Sequence, residues 1–274
     1  MRSAKLVVAL GRKEIGKTYI TIQIIFEYVR GTIHAPPRKV LIFDINGEYT
    51  QFKTLDPDYL GLYSISKTPD VRRITAYHND GSQLSIDKLQ QMLYRILKVY
   101  RNGMLVVEDI NKYISDSISN EIIGMLATQR HVGVDVMMHF QTKGKAGHPK
   151  LFGMMNSIRL HKTNDVFERH KDKFKETLEF LKLGETLVDL ENKKLPKKKQ
   201  WFYCYLDTEH ELISGQFSIN SFRNAIRAYI LSNTAQTINP VMKYRDIKGG
   251  LQYKTWESAV AYLEADLFEK YFGN

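Results

Sequence analysis

A chain of 274 residues, 43% hydrophobic and 26% charged, can bury a sizeable core, and its length favours one domain or one domain with an appendage. Forty Lys and Arg against thirty Asp and Glu leave a net charge of +10, which suits a polyanionic partner such as nucleic acid. Cys204 is the only cysteine, which excludes a disulfide framework within the chain and makes a reducing compartment its natural home; no signal peptide and no apolar run near 20 residues announces export or a membrane span.

Residues 5–10, KLVVAL, form a β-rich apolar run suited to a buried parallel strand, and residues 17–29 carry helix-spaced apolar positions at Ile20, Ile22, Ile24, Ile25 and Tyr28. Between them lies GRKEIGKT, which satisfies G-x-x-x-x-G-K-T at Gly11, Gly16, Lys17 and Thr18. The glycines let main-chain N–H groups wrap a β-phosphate at the helix start, so Gly11, Arg12, Lys13, Glu14, Ile15, Gly16, Lys17 and Thr18 together form the candidate nucleotide cradle. Lys17 would reach the β- and γ-phosphates of ATP, and the Thr18 hydroxyl would ligate Mg²⁺. The alternative is a glycine turn with a solvated lysine, and the strand before and helix after the loop weigh against it.

A second strand, in KVLIFDINGEYTQF, runs out into an acidic loop with Asp44 at its tip and Glu48 four residues on. A helix in SQLSIDKLQQMLYRILKVY follows, its apolar stripe made of Leu89, Leu93, Ile96 and Leu97. In GMLVVEDINKY a strand over residues 104–107 ends in Glu108 and Asp109, which places two carboxylates at the carboxyl edge of a parallel sheet beside the loop. By position Glu108 would serve the Mg²⁺ shell and Asp109 would orient or deprotonate the attacking water; the usual order in such pairs is Asp then Glu, so the inversion leaves the two roles open. Residues 110–121 read as a polar loop.

LATQRHVGVDVMMHFQT joins a helix end at Arg130 to a turn at Gly133 and a strand leading to Gln141. From residue 136 to 164 there is no acidic side chain, while Lys143, Lys145 and Lys150 fall in KGKAGHPK, which reads as a Gly-rich basic loop able to meet DNA phosphates; a solvated loop is the alternative. Asn156 opens a further strand. Residues 165–183 are expected to form one charged helix with Phe167, Phe174, Leu178 and Leu181 as its apolar stripe. Five lysines between 193 and 199 read as a hairpin tip, more solvated than DNA-bound. Beyond residue 208 the pattern gives a helix in SINSFRNAIRAYILSN, capped by Ser218 or Asn220, and a final amphipathic helix in TWESAVAYLEADLFEKYF.

Taken in order, these motifs resemble the HerA/FtsK superfamily of DNA-pumping ATPases, which includes the genome-packaging ATPases of many viruses. The resemblance rests on GRKEIGKT, on DINGEY at Asp44, Gly47, Glu48 and Tyr49, on Arg130, Gly133 and Gln141, on Asn156, and on residues 183–207 as a closing pair of strands. It covers residues 4–207. It implies that Gln141 senses the γ-phosphate and that Arg130 reaches the neighbouring subunit's nucleotide, with Arg159 as the competing finger. The sequence departs from the family pattern in opening at the first core strand, so a stripped motor is expected, without the N-terminal β-barrel of HerA or the membrane and linker regions of FtsK, which by analogy points to the viral packaging enzymes.

The expected fold is α/β, a RecA-like (ASCE) P-loop NTPase core of mainly parallel sheet flanked by helices over residues 1–208, with a small helical appendage over 209–274. The expected function is ATP-driven translocation of double-stranded DNA into a capsid, with catalytic residues Glu108, Asp109, Gln141 and Arg130. Mg²⁺ would be held by Thr18 and Glu108, and DNA by Lys143, Lys145 and Lys150. The expected partners are double-stranded DNA, further copies in a ring of five or six, and a capsid or portal vertex protein, met in the host cytoplasm without membrane insertion. A conjugation or filamentous-phage export type of DNA pump, and a nucleotide-gated DNA-binding assembly protein with little turnover, remain the alternatives.

Overall fold

The computed structural model describes residues 4–33, 35–77, 80–110 and 120–273. In chain order its elements are β1 (Leu6–Leu10), α1 (Lys17–Arg30), β2 (Lys39–Asp44), β3 (Lys53–Thr54), α2 (Leu60–Ile65), β4 (Val71–Thr75), α3 (Ile86–Val99), β5 (Gly103–Val107), α4 (Asn120–Gln129), β6 (Val134–Phe140), α5 (Lys143–Ala146), α6 (Pro149–Phe152) and β7 (Ser157–His161). Then follow α7 (Lys171–Phe174), α8 (Leu178–Lys193), β8 (Tyr203–Asp207), β9 (Leu212–Ser214), α9 (Ile219–Ser232), α10 (Ile238–Val241) and α11 (Trp256–Tyr271). The chain divides into two compact units, Met1–Ile158 and Arg159–Asn274; residue 208 lies inside the second. Among the described residues no helix is long and apolar enough to cross a membrane. Most of the expected polar loop, residues 111–119, lies outside the described residues.

In the first unit the strands run in the order β3-β4-β2-β5-β6-β1, and every neighbouring pair is parallel. Strand β6 therefore stands between β1, which feeds the glycine loop, and β5, which carries the acidic pair. That is the RecA-like arrangement expected. Every residue of β2, β5 and β6 is buried, the mainly apolar runs expected of strands covered on both faces, with Lys39, Asp44, Asp135 and His139 buried among them. Helix α3 buries Leu89, Leu93, Ile96 and Leu97, the expected stripe, and Ser85 caps it by accepting the Lys88 N–H. At the start of β5, Gly103 leaves no room for a side chain: a Cβ would stand 2.2 Å from the Tyr100 hydroxyl and 2.6 Å from the Lys39 carbonyl.

The second unit departs from expectation at two places. Residues 165–183 are not one helix. A 3-10 turn over Phe167–His170 and the single turn α7 end at Lys175, whose φ of 36° is left-handed, and the long helix begins only at Leu178. Phe167 and Phe174 still meet, edge to face with centroids 5.1 Å apart, so the apolar spacing was real but is satisfied by a bent segment. Next, residues 183–193 are helical rather than the first of two strands, because Phe180, Leu181, Leu183, Gly184, Leu187 and Val188 make a buried helical stripe on α8. Gly184 lies where a Cβ would stand 2.5 Å from Leu206, so its lack of a side chain lets α8 approach β8 closely. The lysines at 197–199 form a 3-10 turn between α8 and β8, not a hairpin tip.

Strands β8 and β9 pair antiparallel. Ser218 caps α9 by accepting the Ser221 N–H, and Thr255 and Ser258 form a reciprocal capping box on α11. Arg223 and Arg227 of α9 reach the Glu264 carboxylate of α11, Arg223 at 3.0 Å. Beside them Phe222, Phe268 and Phe272 pack ring on ring.

Candidate nucleotide-binding site

The glycine loop closes over the carboxyl end of β1. Gly11 N–H donates to the Phe140 carbonyl at 3.1 Å, which ties the loop to the end of β6, and buried Ile15 anchors its underside. Gly16 takes φ 82° and Glu14 takes φ 60°, so two left-handed residues turn the loop into the helix. Helix α1 has no side-chain cap and no acidic residue in its first turn. Its leading N–H groups and positive end therefore face the cleft, the arrangement that receives phosphate. The Lys17 ammonium folds back across the loop, donating to the carbonyls of Gly11 at 2.7 Å and Arg12 at 2.6 Å.

Carboxylates face this cation from the neighbouring strands. Glu108 and Asp109 follow β5 and are both buried. His139 Nδ1 lies 3.2 Å from Glu108 Oε1, and His139 Nε2 lies 2.9 Å from the Thr21 hydroxyl on α1, so the imidazole braces Glu108 against the helix. Among the described residues Glu108 Oε2, which is buried, finds no hydrogen-bond donor. Burial first, then the charges of Glu48, Asp44 and Asp109, push the Glu108 carboxyl up from 4.5 to about 8, against the pull of Lys17. Asp109, at φ 39°, is held differently: the Gln141 amide donates to both of its oxygens at 2.8 Å.

Glu48 arrives from the turn after β2. Asp44, fully buried and paired to Arg73 at 2.9 Å, accepts the N–H groups of Glu48 at 2.9 Å and Tyr49 at 3.2 Å. Gly47 supplies the φ of 71° that closes the turn. The result aims Glu48 at α1, where its Oε2 accepts the Thr18 hydroxyl at 2.6 Å. A cleft of about 430 Å³ is bounded by Lys13, Glu14, Gly16, Lys17 and Thr18 from the loop, by Glu48, and by Glu108, Asp109, His139 and Gln141. That volume lies within the range of small-molecule sites.

The expected site residues thus converge, with exceptions. Arg130 is exposed in the 3-10 turn before β6, at the opposite edge of the sheet from Gln141, so it cannot serve the loop of its own chain. Asn156 also lies at that far edge, where its Oδ1 accepts the Leu6 N–H at 2.8 Å and pins the start of β1. Arg159 is fully buried beside Tyr205, which removes it as a finger toward another subunit. Lys143 is buried at 1% exposure because it opens the one-turn helix α5 rather than a loop, so it cannot meet DNA; Lys145 is half-buried and Lys150 is exposed.

Sequence reasoning gave no site role to Glu48 or His139. A signal existed for His139: a polar residue near the carboxyl end of a strand that is apolar but for Asp135, two positions before Gln141 and so on the same face.

The donors fit Mg²⁺ bound together with a nucleotide. Among the described residues no group of three His, Cys, Asp or Glu side chains could hold a metal by itself. Mg²⁺ rarely uses such a cage; it takes one or two carboxylates, phosphate oxygens and water. Thr18 Oγ1 and the orphaned Glu108 Oε2 are oxygens of that kind.

The fold and cleft define a P-loop NTPase architecture. Neither a protein-family model nor a curated protein matches this sequence. Among solved structures, the chain is similar to the genome packaging NTPase B204 from Sulfolobus turreted icosahedral virus 2 in complex with ATP-gammaS. The two are 18% identical, with 78% of this chain and 97% of that one covered, at a TM-score of 0.53. The same NTPase in complex with AMP aligns at 17% identity over 79% and 99%, with a TM-score of 0.51. At this identity the likeness is one of fold.

Proposed function

We propose that this protein is an ATPase of the HerA/FtsK kind that pumps double-stranded DNA as a ring of identical subunits, filling a viral capsid. The observation that carries the reading is the meeting of Lys17, Glu108, Asp109 and Gln141 around one cleft at the end of β1, on a fold like that of B204. The Lys17 ammonium leaves its two loop carbonyls for the β- and γ-phosphates. Thr18 and Glu108 would hold Mg²⁺, which would supply positive charge to the phosphate oxygens when bound. Gln141 holds Asp109 in check; a γ-phosphate accepting from the Gln141 amide frees Asp109 to orient and deprotonate the attacking water.

Arg130 acts on the next subunit's nucleotide, an arrangement supported by its exposure at the far sheet edge. Lys145 and Lys150 contact DNA phosphates. Residues 209–274 dock on a neighbouring subunit or on a capsid or portal vertex protein, in the cytoplasm of the host. Steady-state ATPase activity measured with and without double-stranded DNA tests the whole. Stimulation by DNA is expected; tight ATP binding with negligible turnover under both conditions would replace the motor by a nucleotide-gated assembly protein.

A further inference from the structure

The turn after β2 is built with more care than a passive loop requires. Asp44 is buried, neutralised by Arg73, and spends both oxygens on the backbone of Glu48 and Tyr49; Tyr49 is buried beneath it. Such a frame fixes where the Glu48 side chain starts, and the side chain ends on the Thr18 hydroxyl. Of the carboxylates around the cleft, Asp44 is engaged by Arg73 and Asp109 by Gln141. Among the described residues Glu108 keeps one buried oxygen without a hydrogen bond, and the Glu48 side chain is fastened to the hydroxyl that a P-loop metal takes.

The 2.6 Å between Thr18 Oγ1 and Glu48 Oε2 has a geometric meaning. Two adjacent ligands of octahedral Mg²⁺, each at about 2.1 Å, stand about 3.0 Å from one another. The hydrogen-bonded pair is therefore already spaced almost as two neighbouring corners of that octahedron. Glu108 lines the same cleft as Thr18 and Glu48, so its orphaned Oε2 is a further oxygen that would be available to the same ion.

Resting on the nucleotide-site reading above, we infer that Glu48 is a third protein ligand of the nucleotide-bound Mg²⁺, adjacent to Thr18 and supplied by the turn after β2. The Thr18–Glu48 hydrogen bond would hold the two oxygens close together before the metal arrives; the Thr18 hydroxyl keeps its proton and would offer a lone pair to the ion, and the Glu48 carboxylate would offer an oxygen. The Glu48 carboxylate also repels the phosphates of metal-free nucleotide. It thereby makes tight ATP binding conditional on the divalent ion.

The test compares wild type and Glu48→Gln as full chains, using a fluorescent ATP analogue. Affinity is measured first in EDTA and then during a Mg²⁺ titration, and Mn²⁺ bound with ADP is followed by electron paramagnetic resonance. The exposed position of Glu48 predicts an unchanged melting temperature, which checks folding. Glu48→Gln is expected to bind the analogue in EDTA as well as or better than wild type, to need at least about tenfold more Mg²⁺ for half-maximal tightening, and to alter the Mn²⁺ spectrum. An unchanged Mg²⁺ requirement and Mn²⁺ spectrum, with nucleotide binding intact in both proteins, overturns the role of Glu48 and leaves the nucleotide site standing. Failure of wild type to bind the analogue under any condition overturns both.

Discussion

At the residue scale the cleft separates two carboxylates that the chain places side by side. Glu108 is buried and braced by His139, whereas Asp109 is clasped by an amide, so the pair has distinct environments and distinct expected phenotypes. Glu108→Gln should raise the Mg²⁺ concentration needed for tight ATP binding by tenfold or more, read in a fluorescence titration. Asp109→Asn should bind ATP normally and lose about 10²–10⁴ in turnover; trapped, unhydrolysed ATP in Glu108→Gln instead would exchange the two roles. The protonation of Glu108 gives a separate handle on stability. Folded, with Glu48, Asp44, Asp109, Lys17 and His139 around it, this carboxyl keeps its proton up to about pH 8, while in the unfolded chain it ionises near 4.5. The folded state holds the extra proton within that window, so its stabilising contribution is full below pH 4.5, falls as pH rises, and levels off above 8. In metal-free buffer, urea denaturation of Glu108→Gln between pH 5 and 9 should show a shallower decline than wild type; parallel curves would place the titration elsewhere.

Elements succeed or fail here by how closely they can approach. Strand β5 lies in the middle of the parallel sheet only because Gly103 lets the Lys39 carbonyl and the Tyr100 ring stand where a side chain would be. Gly103→Ala should therefore destabilise the fold by roughly 1–3 kcal/mol, visible as a lower melting temperature, since one of the obstructing atoms is backbone and cannot rotate away. The basic segment after β6 is likewise settled by its element. Its helical turns bury Lys143 and leave Lys150 exposed with Lys145 half-buried, so the proposed DNA contact would rest on Lys145 and Lys150. Replacing Lys145 and Lys150 by Ala should lower DNA affinity and reduce the slope of log affinity against log salt by about 2, with basal ATPase retained. An unchanged slope would move the contact to the lysines at 197–199.

For the whole molecule the decisive distance is the length of a strand. Seven residues of β6 separate Arg130 from Gln141, about 23 Å along a strand, and the two residues occupy opposite edges of the sheet. An arginine so placed can complete a nucleotide site only in another copy of the chain. Each of Arg130→Ala and Lys17→Ala should be nearly inactive alone. Mixed together, they should regain part of the activity, because some interfaces then combine an intact loop with an intact arginine, a contribution of about 10³–10⁵ in systems of this kind. Mixed oligomers that form without any regained turnover would leave Arg130 as a residue at the end of a helical segment whose charge merely complements the helix dipole.

Short-range pattern was enough for the strand–loop–helix around GRKEIGKT, the acidic tip after residues 104–107, the stripe of α3 and the Ser218 cap, because each depends on residues within one or two turns of one another. It misread residues 183–193, where a mixed run of Leu, Val and Glu suits a strand locally and only packing against β8 shows the helix. The remaining features belonged to the tertiary structure. Glu48 meets Thr18 across 30 positions of sequence, and His139 meets Thr21 across 118. Lys143 turns inward because the chain after β6 coils at once. Periodicity tells which face of an element is buried, but which ionisable groups share one corner follows from the strand order β2-β5-β6-β1, and that order is written in no single stretch of the chain.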